Sequence, residues 1–123
     1  LLNASSGIIS LLDPDKQTLE LKKYIGLKDE SLQSWTRYTI DSKTPLTEAI
    51  RYLRPIFLEN QTEVLARYPN LEKAIRENNI HAIAAVPLQV ASATIGGLNF
   101  IFSYEKKLNH EERELLIAIA RLC

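Results

Sequence analysis

An α+β domain built on an antiparallel sheet is the fold class that this sequence predicts. Three observations carry it. Two strand-like segments near the N-terminus, the second alternating, are joined by a short turn, two long apolar segments in the last third are joined by three residues, and an amphipathic helix with its own capping signature follows them. Strands early and late, with helical signals between them, fit a sheet carrying helices on its faces rather than a regular β-α alternation.

The first segment is Ser6-Gly7-Ile8-Ile9-Ser10-Leu11-Leu12, and it meets Asp13-Pro14-Asp15-Lys16-Gln17, where Pro14 suits the second turn position. The returning segment, Thr18 to Ile25, sets Leu19, Leu21 and Ile25 against polar neighbours and ends at Gly26, which predicts a β-hairpin. Asp29 to Trp35 reads as a short helix. Thr44 as N-cap with Pro45 at the first helical position opens a helix through Leu46, Ala49, Ile50 and Leu53. Pro55 to Leu58 reads as a short strand, with proline allowed at its first residue. Thr62 opens a brief helix that stops at Tyr68-Pro69. Asn70 caps the next, with Leu71, Ala74 and Ile75 on one face and Asn78-Asn79 at its end. Ile80 to Val90 and Thr94 to Tyr104 predict a second hairpin, connected by Ala91-Ser92-Ala93. Asn109 and Glu112 form an N-x-x-E capping box ahead of the last helix, which carries Leu115, Leu116, Ile119 and Leu122.

Composition narrows the function classes. The 123 residues are 46% hydrophobic and 24% charged, an ordinary globular balance. Lys+Arg and Asp+Glu are equal at 15, so the basic excess of a nucleic-acid binder is missing. Cys123 is the single cysteine, which excludes an internal disulfide framework and any multi-cysteine metal site. No apolar run approaches the ~20 residues needed to span a bilayer, and Leu1-Leu2-Asn3 has no signal-peptide character. The expected setting is cytoplasmic, with no membrane contact by this domain. The chain contains no Met and stops at Cys123 inside an unfinished helical pattern, so residues 1–123 are expected to be one domain of a longer multidomain protein.

Three stretches, in order, resemble GAF domains: the opening hairpin from Gly7 to Asp15; Ala84-Ala85-Val86-Pro87-Leu88; and Ile95-Gly96-Gly97-Leu98-Asn99-Phe100 followed by a charged loop and Asn109-His110-Glu111-Glu112-Arg113-Glu114-Leu115-Leu116. Residues 28–79 match only through helix and strand order. The resemblance implies a PAS-related central antiparallel sheet, terminal helices on one face, and a helical insert over a pocket on the other. The last strand supports a two-sided sheet independently: Leu98, Phe100 and Phe102 alternate with Gly97, Asn99, Ile101 and Ser103.

In the register that the resemblance implies, Ser10, Ile83, Ala85, Asn99, Ile101 and Ser103 face the pocket, and Trp35 and Tyr38 of the insert close it. Each has a plainer reading. A mid-strand Asn99 either binds a ligand or bonds to neighbouring backbone or water. Trp35 and Tyr38 either stack on a planar ligand or are core aromatics, and a one-residue slip reverses the strand assignments. No carboxylate or thiol stands at ligand spacing from His81, so no metal site is expected. Gly96-Gly97 lacks the spacing of a nucleotide loop, and no catalytic constellation occurs.

The resulting expectation is a non-catalytic sensory or regulatory domain that holds an unidentified small molecule. It relays through Leu115, Leu116, Ile119 and Leu122 in a homodimer, by family association within a bacterial sensor histidine kinase or related two-component protein. The alternative is a structural dimerisation module without a ligand. A third class is catalytic, because some relatives reduce free methionine sulfoxide, but that chemistry needs several cysteines. The cofactor is unknown. Covalent bilin is disfavoured because the insert has no cysteine, cyclic nucleotides because the Asn-Lys-Phe-Asp-Glu signature is missing, and haem because His81 is poorly placed as an axial ligand.

Overall fold

Six strands form one antiparallel sheet in the computed structural model, which describes residues 4–26 and 36–121. β1 (Ser6–Leu12) and β2 (Thr18–Ile25) make the first hairpin, and β5 (Ala82–Val90) and β6 (Ala93–Phe102) the second. β1 also pairs with β6, so segments about ninety residues apart meet in the middle of the sheet. The three-residue β3 (Arg37–Thr39) lies on the outer edge of β2, and β4 (Ile56–Leu58) on the outer edge of β5. Between the hairpins come α1 (Pro45–Tyr52), α2 (Gln61–Arg67), a 3-10 turn at Pro69–Leu71 and α3 (Glu72–Glu77), and α4 (His110–Ala120) follows β6.

The pleat of β6 divides the core in two. Leu98 and Phe102 pack with Ala82, Ala84 and Val86 of β5, and with Leu108, Leu116 and Ala120 on the α4 side. Ile101 packs with Ile83, Ala85, Leu46, Ala49, Ile50, Val64, Tyr68 and Ile75 on the side of α1–α3. Period-two alternation therefore decides which layer each strand residue joins. β5 presents small residues, Ala82 and Ala84, towards α4, which lets the helix lie close with Leu116 fully buried.

Caps fix the two longest helices. Thr44 is extended (φ −139°, ψ 159°), and its Oγ1 accepts from Thr47 N at 3.1 Å while Thr44 N donates to Thr47 Oγ1 at 3.2 Å. Asn109 Oδ1 accepts from Glu112 N at 2.8 Å, and Asn109 N donates to Glu112 Oε1 at 3.0 Å. Both are reciprocal boxes that satisfy otherwise orphaned donors. The Asn109 backbone, seconded by Lys106, holds the Glu112 carboxyl below its usual range.

Several local expectations shift. α2 is capped by Asn60, whose Oδ1 accepts from Glu63 N at 2.8 Å, and not by Thr62. Asn70 caps no helix; its amide donates to Lys43 O at 2.9 Å from within the 3-10 turn. β5 starts at Ala82 rather than Ile80, and β6 ends at Phe102 rather than Tyr104. The hairpin turn is Ala91-Ser92 alone, both left-handed (φ 50° and 71°), a two-residue geometry that matches the twist of the flanking strands. β3 has no counterpart in the sequence reading, and the helix expected at Asp29 to Trp35 lies outside the described residues. Ile25 leaves the Leu19–Leu21 face because the β1–β2 register shifts between Ile9 and Ser10. Lys22 is the extra residue there, and Ile25 ends opposite Gly7, 70% exposed.

Gly96 of β6 lies against the backbone of β1, opposite Leu11. A Cβ there would stand 2.1 Å from Ser10 O and 2.8 Å from Leu11 Cα, both backbone atoms that cannot swing aside. Gly96→Ala is expected to lower stability by about 2 kcal/mol or more. Gly7→Ala, with nothing within 4 Å of the added carbon, should stay within about 0.5 kcal/mol. Urea unfolding of the two variants checks this, and equal effects would contradict the close approach.

Candidate ligand pocket

On the α1–α3 side the core is incomplete, and a cavity of about 100 Å³ lies between the sheet and the insert. Its floor comes from the pairing register. Ile8 of β1 stands opposite Asn99 of β6, Ser6 opposite Ile101, and Ile101 opposite Ile83 of β5, so Ile8, Asn99, Ile101 and Ile83 share one face. Ser10 is paired with Gly97, one step along the same face. Tyr38 reaches the cavity from β3, where it pairs with Leu19. The opposite wall is the start of α1, at Thr44, Pro45 and Leu46, together with Ala74, Ile75 and Asn78 of the α3 region.

Among the described residues, no Asp, Glu, Lys, Arg or His lines this space. The first turn of α1 supplies partial positive charge worth about 0.3–1 kcal/mol to a nearby anion. Burying an ion without a partner costs several kcal/mol. Desolvation therefore wins, and the cavity favours neutral groups.

Two polar atoms are left over. Asn99 Oδ1 and Ser10 Oγ are buried without a hydrogen-bond partner among the described residues. Such an atom costs about 1–3 kcal/mol unless something in the site satisfies it. Burial pushes the Tyr38 phenol up to about 12, and the nearby Ser10 hydroxyl offsets a little of that. The Tyr38 phenol is thus a neighbour of Ser10 Oγ, which meets no partner at full hydrogen-bond geometry among the described residues.

Of the residues expected at the pocket, Ser10, Tyr38, Ile83, Asn99 and Ile101 line it. Ala85 is on the same face but is fully buried in the packed core beside Ile56. Ser103 lies beyond the end of β6, exposed, with its hydroxyl 2.8 Å from that of Ser5. Trp35 and Leu122 lie outside the described residues. On α4, Leu116 is buried against the sheet, Ile119 is half-buried and Leu115 is 41% exposed. Sequence reasoning missed Ile8, Leu21, Ile80 and the helical wall. Ile8 was within reach, because it has the parity of Ser10; the helix residues depend on tertiary placement.

Two substitutions probe this account. In the ligand-free domain, Asn99→Leu removes a buried, unsatisfied acceptor, so stability is expected to hold or rise by about 1 kcal/mol in thermal unfolding. A loss of about 2 kcal/mol would mean that Asn99 is already bonded. Tyr38 works at alkaline pH. Its folded pKa exceeds the ordinary value near 10, so from about pH 10 to about 12 the unfolded chain releases a proton that the folded chain keeps, and stability falls as pH rises. Tyr38→Phe is expected to remove part of that alkaline loss; an unchanged pH–stability profile would place the phenol in solvent.

Comparison with known proteins is consistent with this geometry. The family model for the GAF domain matches residues 1–123. No curated protein matches the chain. A solved domain described as belonging to a two-component sensor histidine kinase protein from Sinorhizobium meliloti 1021 is 21% identical, with a TM-score of 0.75 over 98% of this chain and 76% of that one. The GAF domain of a phosphoenolpyruvate-protein phosphotransferase from Coxiella burnetii is 16% identical, with a TM-score of 0.78 over 97% of this chain and 68% of that one. The type II free methionine-R-sulfoxide reductase from Thermoplasma acidophilum is 15% identical, with a TM-score of 0.72 over 97% and 75%. At these identities the likeness is one of fold. GAF domains are in general sensory or regulatory modules of signalling proteins and are generally non-catalytic, the Thermoplasma reductase being a catalytic case on the same fold. With a family match along its whole length and the sheet described above, this chain belongs to the GAF domain family.

Proposed function

We propose that this domain is a non-catalytic sensor that holds a small molecule between the sheet and the α1–α3 insert and relays its occupancy through α4. The observation that carries the reading is the apolar cavity with Asn99 in its wall and the buried Asn99 Oδ1 without a partner among the described residues. A closed structural core would have filled that space or bonded that atom.

The relay follows from β6. Asn99 and Ile101 face the cavity, and their chain neighbours Leu98, Phe100 and Phe102 pack on the α4 side. A ligand that prefers one of two positions of this strand shifts the layer beneath α4 as well. Leu115, 41% exposed, and half-buried Ile117 and Ile119 give α4 a wider apolar surface than its own sheet covers. That surface supports a parallel homodimer with α4 against its counterpart, in a sensor histidine kinase or related two-component protein.

Native mass spectrometry of the domain, with α4 extended into its natural continuation, followed by denaturation, tests the reading. A dimer that releases a stoichiometric small molecule on unfolding is the expected result. A dimer that carries nothing and takes up nothing from a metabolite screen would favour a purely structural module.

A further inference from the structure

The geometry points to a ligand class: a small uncharged molecule whose polar head carries both a hydrogen-bond donor and an acceptor, as a primary amide or an alcohol does, seated between Asn99 Oδ1 and Ser10 Oγ. This rests on reading the cavity as a ligand site. Four features define the class. Among the described residues the wall has no ionisable acid or base except the Tyr38 phenol, which burial keeps protonated, so neither a carboxylate nor an ammonium finds a counter-charge on that wall. Asn99 Oδ1 accepts only, so the ligand must bring a donor. Ser10 Oγ is a hydroxyl able to donate, so it rewards an acceptor on the same head.

Spacing is the fourth feature. Asn99 pairs with Ile8, and Ser10 is two residues further along β1, which makes Asn99 and Ser10 diagonal neighbours on one face. Diagonal neighbours lie roughly 7 Å apart. A primary amide, with donor and acceptor about 2 Å apart, spans that gap at hydrogen-bond distance from each protein atom, and an alcohol, which carries both on one oxygen, spans about 6 Å. A cavity of about 150 Å³ accommodates benzene, so the space of about 100 Å³ here suits a head with a short aliphatic tail, such as three or four carbons. The tail meets Ile8, Ile75, Ile83 and Ile101.

The test is a titration of the whole chain with a matched four-carbon series: butyramide, butan-1-ol, butyrate, n-butylammonium and n-butane. Binding is read from the methyl resonances of Ile8, Ile83 and Ile101. Butyramide and butan-1-ol are expected to saturate these shifts. Butyrate, butylammonium and butane are expected to bind about tenfold more weakly or worse. Asn99→Leu should weaken butyramide about tenfold while leaving butane binding in place, which also shows that the variant is folded. Butyrate or butane binding as tightly as butyramide would overturn the ligand class and leave the pocket standing. If no member of the series moves the isoleucine methyls, the ligand class and the sensor reading both fall.

Discussion

Leu46 occupies the space over Gly97 that a side chain on β6 would otherwise fill. A Cβ on Gly97 would stand 2.5 Å from Leu46 Cδ1 and 3.2 Å from Ile50 Cδ1, so α1 rests directly on the backbone of the central strand. The height of the insert above the sheet follows from that contact. α1 is also tied at both ends. The Thr44–Thr47 box holds its start, and Thr47 Oγ1 donates to Ser42 O. Arg51 donates to the carbonyls of Ile40 and Ser42, the latter at 3.1 Å. Held in this way, the helix cannot sink to close the gap beside Asn99, and the neighbouring wall at Ala74 and Ile75 stays where its own turn places it. The cavity is what remains, and rigid surroundings that relax only partly are the condition under which such spaces persist.

The same strand makes the two sides of the domain interdependent. Every residue of β6 that faces the cavity has chain neighbours packed under α4. Arg113 of α4 adds a second link, with its guanidinium 4.6 Å from the ring centre of Phe57 in β4 and 3.5 Å from Glu59. Both partners of that ion pair are partly exposed, so the charge contact contributes little and the stacked contact more. A change on the insert side therefore has short physical routes to α4, through the pleat of β6 and through the β4 edge.

How much of this was legible in the residues depended on whether the cause was local. Both hairpins, the Thr44-Pro45 start and the Asn109–Glu112 box are written in neighbouring residues, and they formed where expected. β3 was not legible, because Arg37-Tyr38-Thr39 has no strand pattern of its own. Pairing with β2 holds it, together with ion pairs from Arg37 to Glu20 (2.9 Å) and to Asp13. In the register that the resemblance implies, Ser10, Ile83, Asn99 and Ile101 share the face that lines the cavity. Ala85 shares that face but is packed in the core, and Ser103 lies beyond the end of β6. Ile25 shows the limit of parity, since one extra residue at Lys22 reverses every assignment beyond it. The helical wall was beyond reach, because nothing local says which face of α3 meets the sheet.

α1, propped on Gly97, leaves an apolar cavity on the insert side of the sheet. Xenon titration followed by methyl resonances tests it most directly, because xenon enters dry apolar cavities without needing a polar partner. The account predicts saturable shifts at Ile8, Ile75, Ile83 and Ile101, with Val86, Leu98 and Leu116 on the α4 side unmoved. The absence of saturable shifts, or shifts spread equally over both sides of the sheet, would contradict it.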